Sequence, residues 1–330
     1  MRPARGLLLL LVPSPTLAGR HFADSDVKRA RDARASWELE LPEMLGARLD
    51  SKEKLDLRQF LHEKDASLPV TNARWDLLGP VGPRCLNIRS YGAGSTHLGK
   101  ASTIADQEGK KACGLRHERN CTVVAIGSNG QWGFEADLVA HTGCRVHTFD
   151  CTVDAKVAVP PELRHRVTLH RTCIGAPPVQ GRNYFLEVPR APDGRPGKWR
   201  DKRWRHGAFA AESFRRYAAL LELAGLRSPP TLLKMDAEGY EWPMLADVLS
   251  DPELAPSQLA LELHFQTQMP GLPWFGRFKG AAEILSLGNA LSRRGYLLVA
   301  RDDNSACRWC SEQLWVRAGP STHDRRLRAP

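Results

Sequence analysis

Three short stretches carry the residue types and spacings that can do chemistry. The first is Gly127-Ser-Asn-Gly130, which follows the apolar run Cys121-Thr-Val-Val-Ala-Ile126 and leads through Gln131-Trp-Gly133 into a helical pattern. Glycines let a backbone turn sharply and approach a ligand closely, and the helix that follows presents unpaired N–H groups. At the carboxyl ends of strands in an open parallel sheet, such a turn binds nucleotide-like cofactors. The second is Asp150, 23 residues after Gly127, at the end of the next strand-like run. A carboxylate there can accept hydrogen bonds from both hydroxyls of a ribose. The glycines read G-x-x-G-x-x-G, with Asn129 where the dinucleotide fingerprint requires glycine. That argues against NAD without excluding it; S-adenosylmethionine carries the same ribose, and it is favoured once the acidic turn at Asp236–Glu241 is taken with the loop and Asp150. Gly127, Ser128, Asn129, Gly130 and Asp150 are therefore the cofactor-binding candidates.

The third stretch is Leu233-Lys-Met-Asp-Ala-Glu-Gly-Tyr-Glu-Trp242, a strand running into an acidic turn and a helix, followed by Leu261-Glu-Leu-His264 at the end of the next apolar run. Asp236, Glu238, Glu262 and His264 are the candidates for a general base. His264 is the best single choice because an imidazole titrates near neutrality, the competing reading being a hydrogen-bonded structural histidine. The same four side chains can together offer ligands to Mg²⁺ or a similar divalent cation, although no dedicated metal ligand is assigned. Glu241 and Trp242 are read as structural, the acid complementing a helix dipole and the indole packing.

These residues need an alternating scaffold to bring them together. Strands are predicted at 121–126, 145–150, 167–170, 231–236 and 259–264. Helices are predicted at 132–141, 212–224, 241–249 and 281–294, the second with Phe214, Tyr217, Leu221 and Ala224 on one face and the last stopped at Gly295. Alternation of this kind predicts a parallel sheet covered on both faces. Tyr296–Arg301 and Gln313–Arg317, with no helix between them, predict a terminal antiparallel hairpin.

With 42% hydrophobic and 25% charged residues, the 330-residue chain can bury a sizeable core, which excludes a disordered or fibrous class. The formal charge of +10 bears on solubility and nonspecific attraction, not on a reaction. It is concentrated in Arg190–His206, where seven Lys or Arg face two Asp and Trp199 and Trp204 are interleaved. That insertion reads as a solvated loop, or as a lid or groove for an anionic acceptor. Arg2, Arg5, the apolar run Leu7–Val12 and the small residues around Ala18 resemble a secretory signal peptide, and the run is too short for a transmembrane helix. Cysteines 85, 113, 121, 144, 151, 173, 307 and 310 make an even count that fits disulfides in an oxidising lumen, with no connectivity deducible. Cys307-Arg-Trp-Cys310 stands alone without a second pair or a nearby histidine, so it reads as a local disulfide or free thiols rather than a zinc site.

Lys234-Met-Asp-Ala-Glu-Gly-Tyr-Glu241 resembles the K-x-D-x-E-G-x-E signature of FkbM-type methyltransferases. Together with Ala125–Glu135, His147–Thr152, Asp106–Cys113 and Cys310–Arg317, the chain from 84 to 317 resembles the methyltransferase-like protein 24 group. The resemblance implies a Rossmann-like class I fold, a mostly parallel seven-stranded sheet with helices on both faces. It places Gly127, Ser128 and Gly130 along S-adenosylmethionine and Asp150 on its ribose. Ala125 stands where many class I enzymes carry an acid two residues before the first glycine. The expected organisation is a signal peptide over 1–18, a charged and partly helical extension over 19–80, a methyltransferase domain over 81–318 and a basic tail over 319–330. The expected activity is O-methylation of a small molecule or glycan in the secretory pathway, with nucleic acid the poorer acceptor. The alternatives are a catalytically silent Rossmann-like module of that pathway and an NAD-dependent oxidoreductase.

Overall fold

In a computed structural model, the chain is described at residues 22, 24–47, 72–92, 109–118, 120–175, 183–189, 204–210, 213–237, 239–264, 281–303 and 310–318. Its centre is a seven-stranded sheet whose inner strands are apolar on both faces, as strands covered by helices on two sides must be. The strands are β3 (Thr122–Ile126), β4 (Arg145–Phe149), β5 (Val167–His170), β10 (Leu232–Met235), β11 (Gln258–His264), β12 (Tyr296–Asp303) and β13 (Cys310–Arg317). They lie in the order β12-β13-β11-β10-β3-β4-β5. Within the sheet β5, β4, β3, β10 and β11 run parallel, and β13 is antiparallel to both β11 and β12. Numbered by their succession in the sheet, the strands read 3-2-1-4-5-7-6. This is the Rossmann-like methyltransferase fold, with the expected hairpin at its end.

Two apolar layers sandwich the sheet. Helix α2 (Gly133–His141) covers one face through Leu138 and Val139, which pack with Val123, Ala125 and Val146. On the other face α3 (Tyr217–Leu223), α4 (Glu241–Ser250) and α5 (Ala281–Arg293) bury Tyr217, Leu220, Met244, Leu245, Ile284 and Leu291 against Val124, Ile126, Met235 and Leu261. Helix α5 ends at Gly295, whose φ of +84° suits glycine, as the sequence predicts. A 3₁₀ turn at Asn72–Leu78 sends Trp75 and Leu78, both fully buried, into this second layer. Gly288 of α5 is required there, because a Cβ would lie 2.6 Å from the Leu78 carbonyl oxygen. The N-terminal helix α1 (Asp24–Ala47) adds Val27 to a third cluster with Leu297, Val299, Leu314 and Val316.

One predicted element is shorter than expected. The helix predicted at 212–224 spans only Tyr217–Leu223, and Phe214–Arg215 forms β9 instead, parallel to β6 (Cys173–Ile174). Phe214 is buried either way, so its apolar spacing does not distinguish the two. Asp247 fixes the helix start by accepting the Tyr217 N–H at 2.6 Å. The basic insertion is not all loop: its last three residues, Trp204–His206, begin β8 (Trp204–Ala210), which pairs antiparallel with β7 (Asn183–Pro189), while residues 190–203 lie outside the described residues, as do 1–21, 48–71 and 319–330.

Cys85–Cys113, Cys121–Cys144 and Cys151–Cys173 are disulfides. Cys310 is disulfide-bonded as well, and Cys307 lies outside the described residues. The second bond joins the start of β3 to the start of β4. The third ties the residue after Asp150 to β6. The first anchors β2 (Lys110–Cys113), which pairs with β1 (Ile88–Tyr91). Gln258 of β11 docks that hairpin on the sheet, donating to the Cys113 carbonyl at 2.7 Å and accepting its N–H at 2.8 Å.

Candidate functional site

The chain leaves β3 for β4 and β5 on one side, then crosses back to β10 and β11 on the other. The carboxyl ends of β3 and β10 therefore form a topological switch point, the place where open α/β sheets bind ligands. Gly127 sits there with φ +77°, and a Cβ would lie 1.7 Å from the Asp236 carbonyl oxygen. Asn129, at φ +50°, is the one non-glycine with positive φ among the described residues, and Gly130 follows at +69°. Asx residues tolerate this region better than other side chains. The Asn129 Oδ1 is buried without a hydrogen-bond partner among the described residues. A buried orphan acceptor at the mouth of a turn is a position for a ligand donor.

Asp150, 7% exposed, faces this turn from the end of β4. Its Oδ2 accepts from the Ser128 N–H at 2.8 Å, the Asn129 N–H at 2.7 Å and the Ser128 hydroxyl at 3.2 Å. Its Oδ1 accepts from the Thr152 N–H at 2.9 Å and hydroxyl at 2.6 Å. The structure thus brings Gly127, Ser128, Asn129, Gly130 and Asp150 into one hydrogen-bonded unit. Asp150 shapes the loop as well as facing the crevice.

Lys234 supports the loop from below. Its Nζ donates to the Ile126 carbonyl at 3.2 Å and also to the Gly127 carbonyl, tying β10 to the turn. Glu135, 2% exposed in the first turn of α2, accepts from the Thr148 hydroxyl at 2.9 Å. Burial pushes its carboxyl above the usual range, with Lys234 opposing the rise.

On the β10–β11 side, Asp236, Glu262 and His264 come together around two groups that sequence reasoning did not select. Glu241 is completely buried; it accepts the N–H groups of Ala237 at 2.6 Å and Gly239 at 2.8 Å, closing the turn after β10. Its Oε1 also lies 3.1 Å from His264 Nδ1. The opposite nitrogen, Nε2, is 3.8 Å from Glu262 Oε1. Trp242 Nε1 donates to the His264 carbonyl at 2.7 Å, so both residues read as structural hold the histidine in place. Glu238 lies outside the described residues.

The second unselected group is Lys110. From β2 its Nζ reaches Glu262 at 2.8 Å and Asp236 at 3.4 Å, and it is hydrogen-bonded to Glu312 of β13. Glu262 and Glu312 are register partners across the sheet, which is why their carboxyls converge. Burial opposes the charge on Lys110, but the three carboxylates outweigh it and hold its ammonium well above the usual range. Burial also disfavours charge on Glu262, and Lys110 with His264 reverses that, leaving its carboxyl below the usual range. Burial and the neighbouring Glu262 charge push Glu312 well up and Asp236 up, each against the pull of Lys110. The cluster therefore favours a charged ammonium at Lys110 and an ionised Glu262, and it opposes ionisation of Glu312 and Asp236.

Among the described residues, two groups have the geometry of metal ligands, Asp236 with Glu241 and His264, and Glu262 with His264 and Cys310. Cys310 is in a disulfide and supplies no thiolate. The Glu241 oxygens already take two N–H groups and face the imidazole.

No family model matches the sequence, and no curated protein matches it. Solved structures do. The FkbM methyltransferase of Methylobacillus flagellatus KT aligns at 17% identity over 60% of this chain and 44% of its own, with a TM-score of 0.34. The fibrillarin pre-rRNA processing protein of Methanococcus jannaschii aligns at 8% identity over 63% and 71%, with a TM-score of 0.35. An O-methyltransferase family protein of Burkholderia thailandensis aligns at 9% identity over 63% and 54%, with a TM-score of 0.32. This chain thus spans less than half of the FkbM structure it matches. At such scores the likeness adds nothing to the strand order, and the fold assignment rests on the 3-2-1-4-5-7-6 sheet itself.

Proposed function

We propose that the chain is an S-adenosylmethionine-dependent methyltransferase of the FkbM and methyltransferase-like protein 24 kind, acting on an oxygen of a small molecule or glycan. The observation that carries this reading is the unit of Gly127–Gly130 and Asp150 at the switch point, beside a buried histidine already held by an acid. Ser128, Asn129 and Gly130 offer a cradle with an unpartnered Asn129 oxygen, and Asp150 offers a carboxylate hydrogen-bonded to that same loop. When bound, the cofactor supplies an electrophilic methyl group on a sulfonium. Methyl transfer to a hydroxyl then needs alignment and removal of one proton. His264 Nε2 takes that proton, and Glu241 at Nδ1 fixes the ring and stabilises the imidazolium. Asp236 and Glu262 orient the hydroxyl. Glu238 belongs to the same acidic turn by sequence.

The second reading is a catalytically silent Rossmann-like binding module. In its favour, Lys110 fills the space among Asp236, Glu262 and Glu312, and both Asp150 oxygens take internal hydrogen bonds. Labelled methyl transfer into lipid, glycan, protein and RNA fractions separates the two. The enzyme reading expects label in the glycan or small-molecule fraction, at least about a hundredfold less with His264→Ala, the lower range for loss of a general base. No label in any fraction would leave the silent module. A secretory location accords with the disulfides. A reporter fusion found in the nucleus would contradict it and revive a nucleic acid acceptor.

A further inference from the structure

Glu262 of β11, Glu312 of β13 and Asp236 just after β10 converge on one point, and that point is occupied by the ammonium of Lys110. Buried carboxylates repel each other strongly unless a cation sits among them. A divalent ion would stand about 2.0–2.6 Å from such oxygens. The Lys110 nitrogen stands 2.8 Å from Glu262 and 3.4 Å from Asp236, so its hydrogens fill the space an ion would take. The lysine is not a stray surface side chain. It is 9% exposed and is delivered by a hairpin fixed to the sheet by the paired Gln258–Cys113 hydrogen bonds and by the Cys85–Cys113 disulfide. Of Asp236, Glu238, Glu262 and His264, the side chains that can together offer ligands to Mg²⁺, the two described carboxylates are therefore committed to a residue of the chain.

We propose that Lys110 is the resident cation of this site. It positions Asp236 and Glu262 as a divalent ion does elsewhere, and the chain needs no metal there. The occupancy claim stands on the cluster alone; that the positioned carboxylates face a methyl acceptor rests on the proposed function.

Titration of the full-length chain with Mn²⁺, followed by calorimetry and by melting temperature, tests occupancy without any turnover. The wild type is expected to show no Mn²⁺ site and no change in melting temperature with Mn²⁺ or a chelator. Lys110→Ala leaves three carboxylates without their cation and is expected to bind Mn²⁺ at least about tenfold more tightly than the wild type, with a rise in melting temperature that Glu262→Gln in the same variant removes. A wild-type site that Glu262→Gln abolishes would overturn the proposal. So would a Lys110→Ala chain that gains no Mn²⁺ site, or one that does not fold even in saturating Mn²⁺. Because none of these readings uses S-adenosylmethionine, failure here is distinct from failure of the methyltransferase reading, which the cofactor titration measures on its own.

Discussion

At the scale of residues, the site is organised by groups whose partners are far away in sequence. Glu241 is the clearest case. Its position in a helix start explains an acid there through the dipole, but its buried carboxylate also holds two turn amides and faces His264 across 23 residues of chain. Glu241→Gln keeps the side chain's size but gives up one of its two turn hydrogen bonds, and it removes the charge that stabilises an imidazolium. In the methyltransferase reading it should lower kcat more than about tenfold and shift the pH profile of kcat/KM, while a merely structural role would leave that profile in place.

The Lys110 cluster gives a second residue-scale expectation. Glu312 holds its proton more tightly folded than unfolded, so the folded state binds more protons above the unfolded carboxyl value, and its contribution to stability falls as pH rises from there towards the folded value. Glu262 has the opposite sign: its contribution is present above the unfolded value and lost as pH falls through the folded one. Glu312→Gln, which imitates the protonated carboxyl, should flatten the decline of stability over the pH units just above the unfolded carboxyl value of about 4.3, by up to about 1.4 kcal/mol per pH unit. Urea unfolding across that range checks it; an unchanged slope would place the excess proton elsewhere.

At the scale of elements, the turn after β3 is constrained by its neighbour after β10. Gly127→Ala adds a methyl 1.7 Å from the Asp236 carbonyl oxygen at a φ of +77°, so the two turns must separate. The left-handed backbone alone costs about 1–2 kcal/mol, and the clash adds to it. Chemical unfolding should show a loss of about 3 kcal/mol or more, the range reached when strain and packing fail together. Cofactor binding should weaken with it. A stable variant with unaltered binding would contradict the geometry.

What the sequence made legible follows from how local each signal is. β3, β4, β10 and β11 were readable because buried parallel strands are apolar runs, and Asp150 and His264 were found because each closes such a run. The start of α3 was not, because Phe214 keeps the helical spacing while its backbone pairs with β6. Lys110 and Glu312 were not, because convergence across β2, β11 and β13 is a property of register, which no local pattern encodes. A lysine in the segment Asp106–Cys113 and a glutamate in Cys310–Arg317 were visible only as parts of quoted motifs.

At the scale of the whole molecule, the candidate site has two ends. The switch point between β3 and β10 has the loop and Asp150 on one side and His264 with its acids on the other, with β10 between them in the sheet. Three disulfides pin the strands and hairpin that frame it, among them the Cys151–Cys173 bond beside Asp150. The most direct test of the central claim is calorimetric titration of the full-length chain with S-adenosylmethionine and S-adenosylhomocysteine, beside Asp150→Ala of verified fold. Both ligands should bind, NADH should not, and the variant should lose about tenfold to a hundredfold in affinity, as expected for a charge-assisted hydrogen bond. Absence of binding by either sulfur ligand, or binding that Asp150→Ala leaves unchanged, would contradict it.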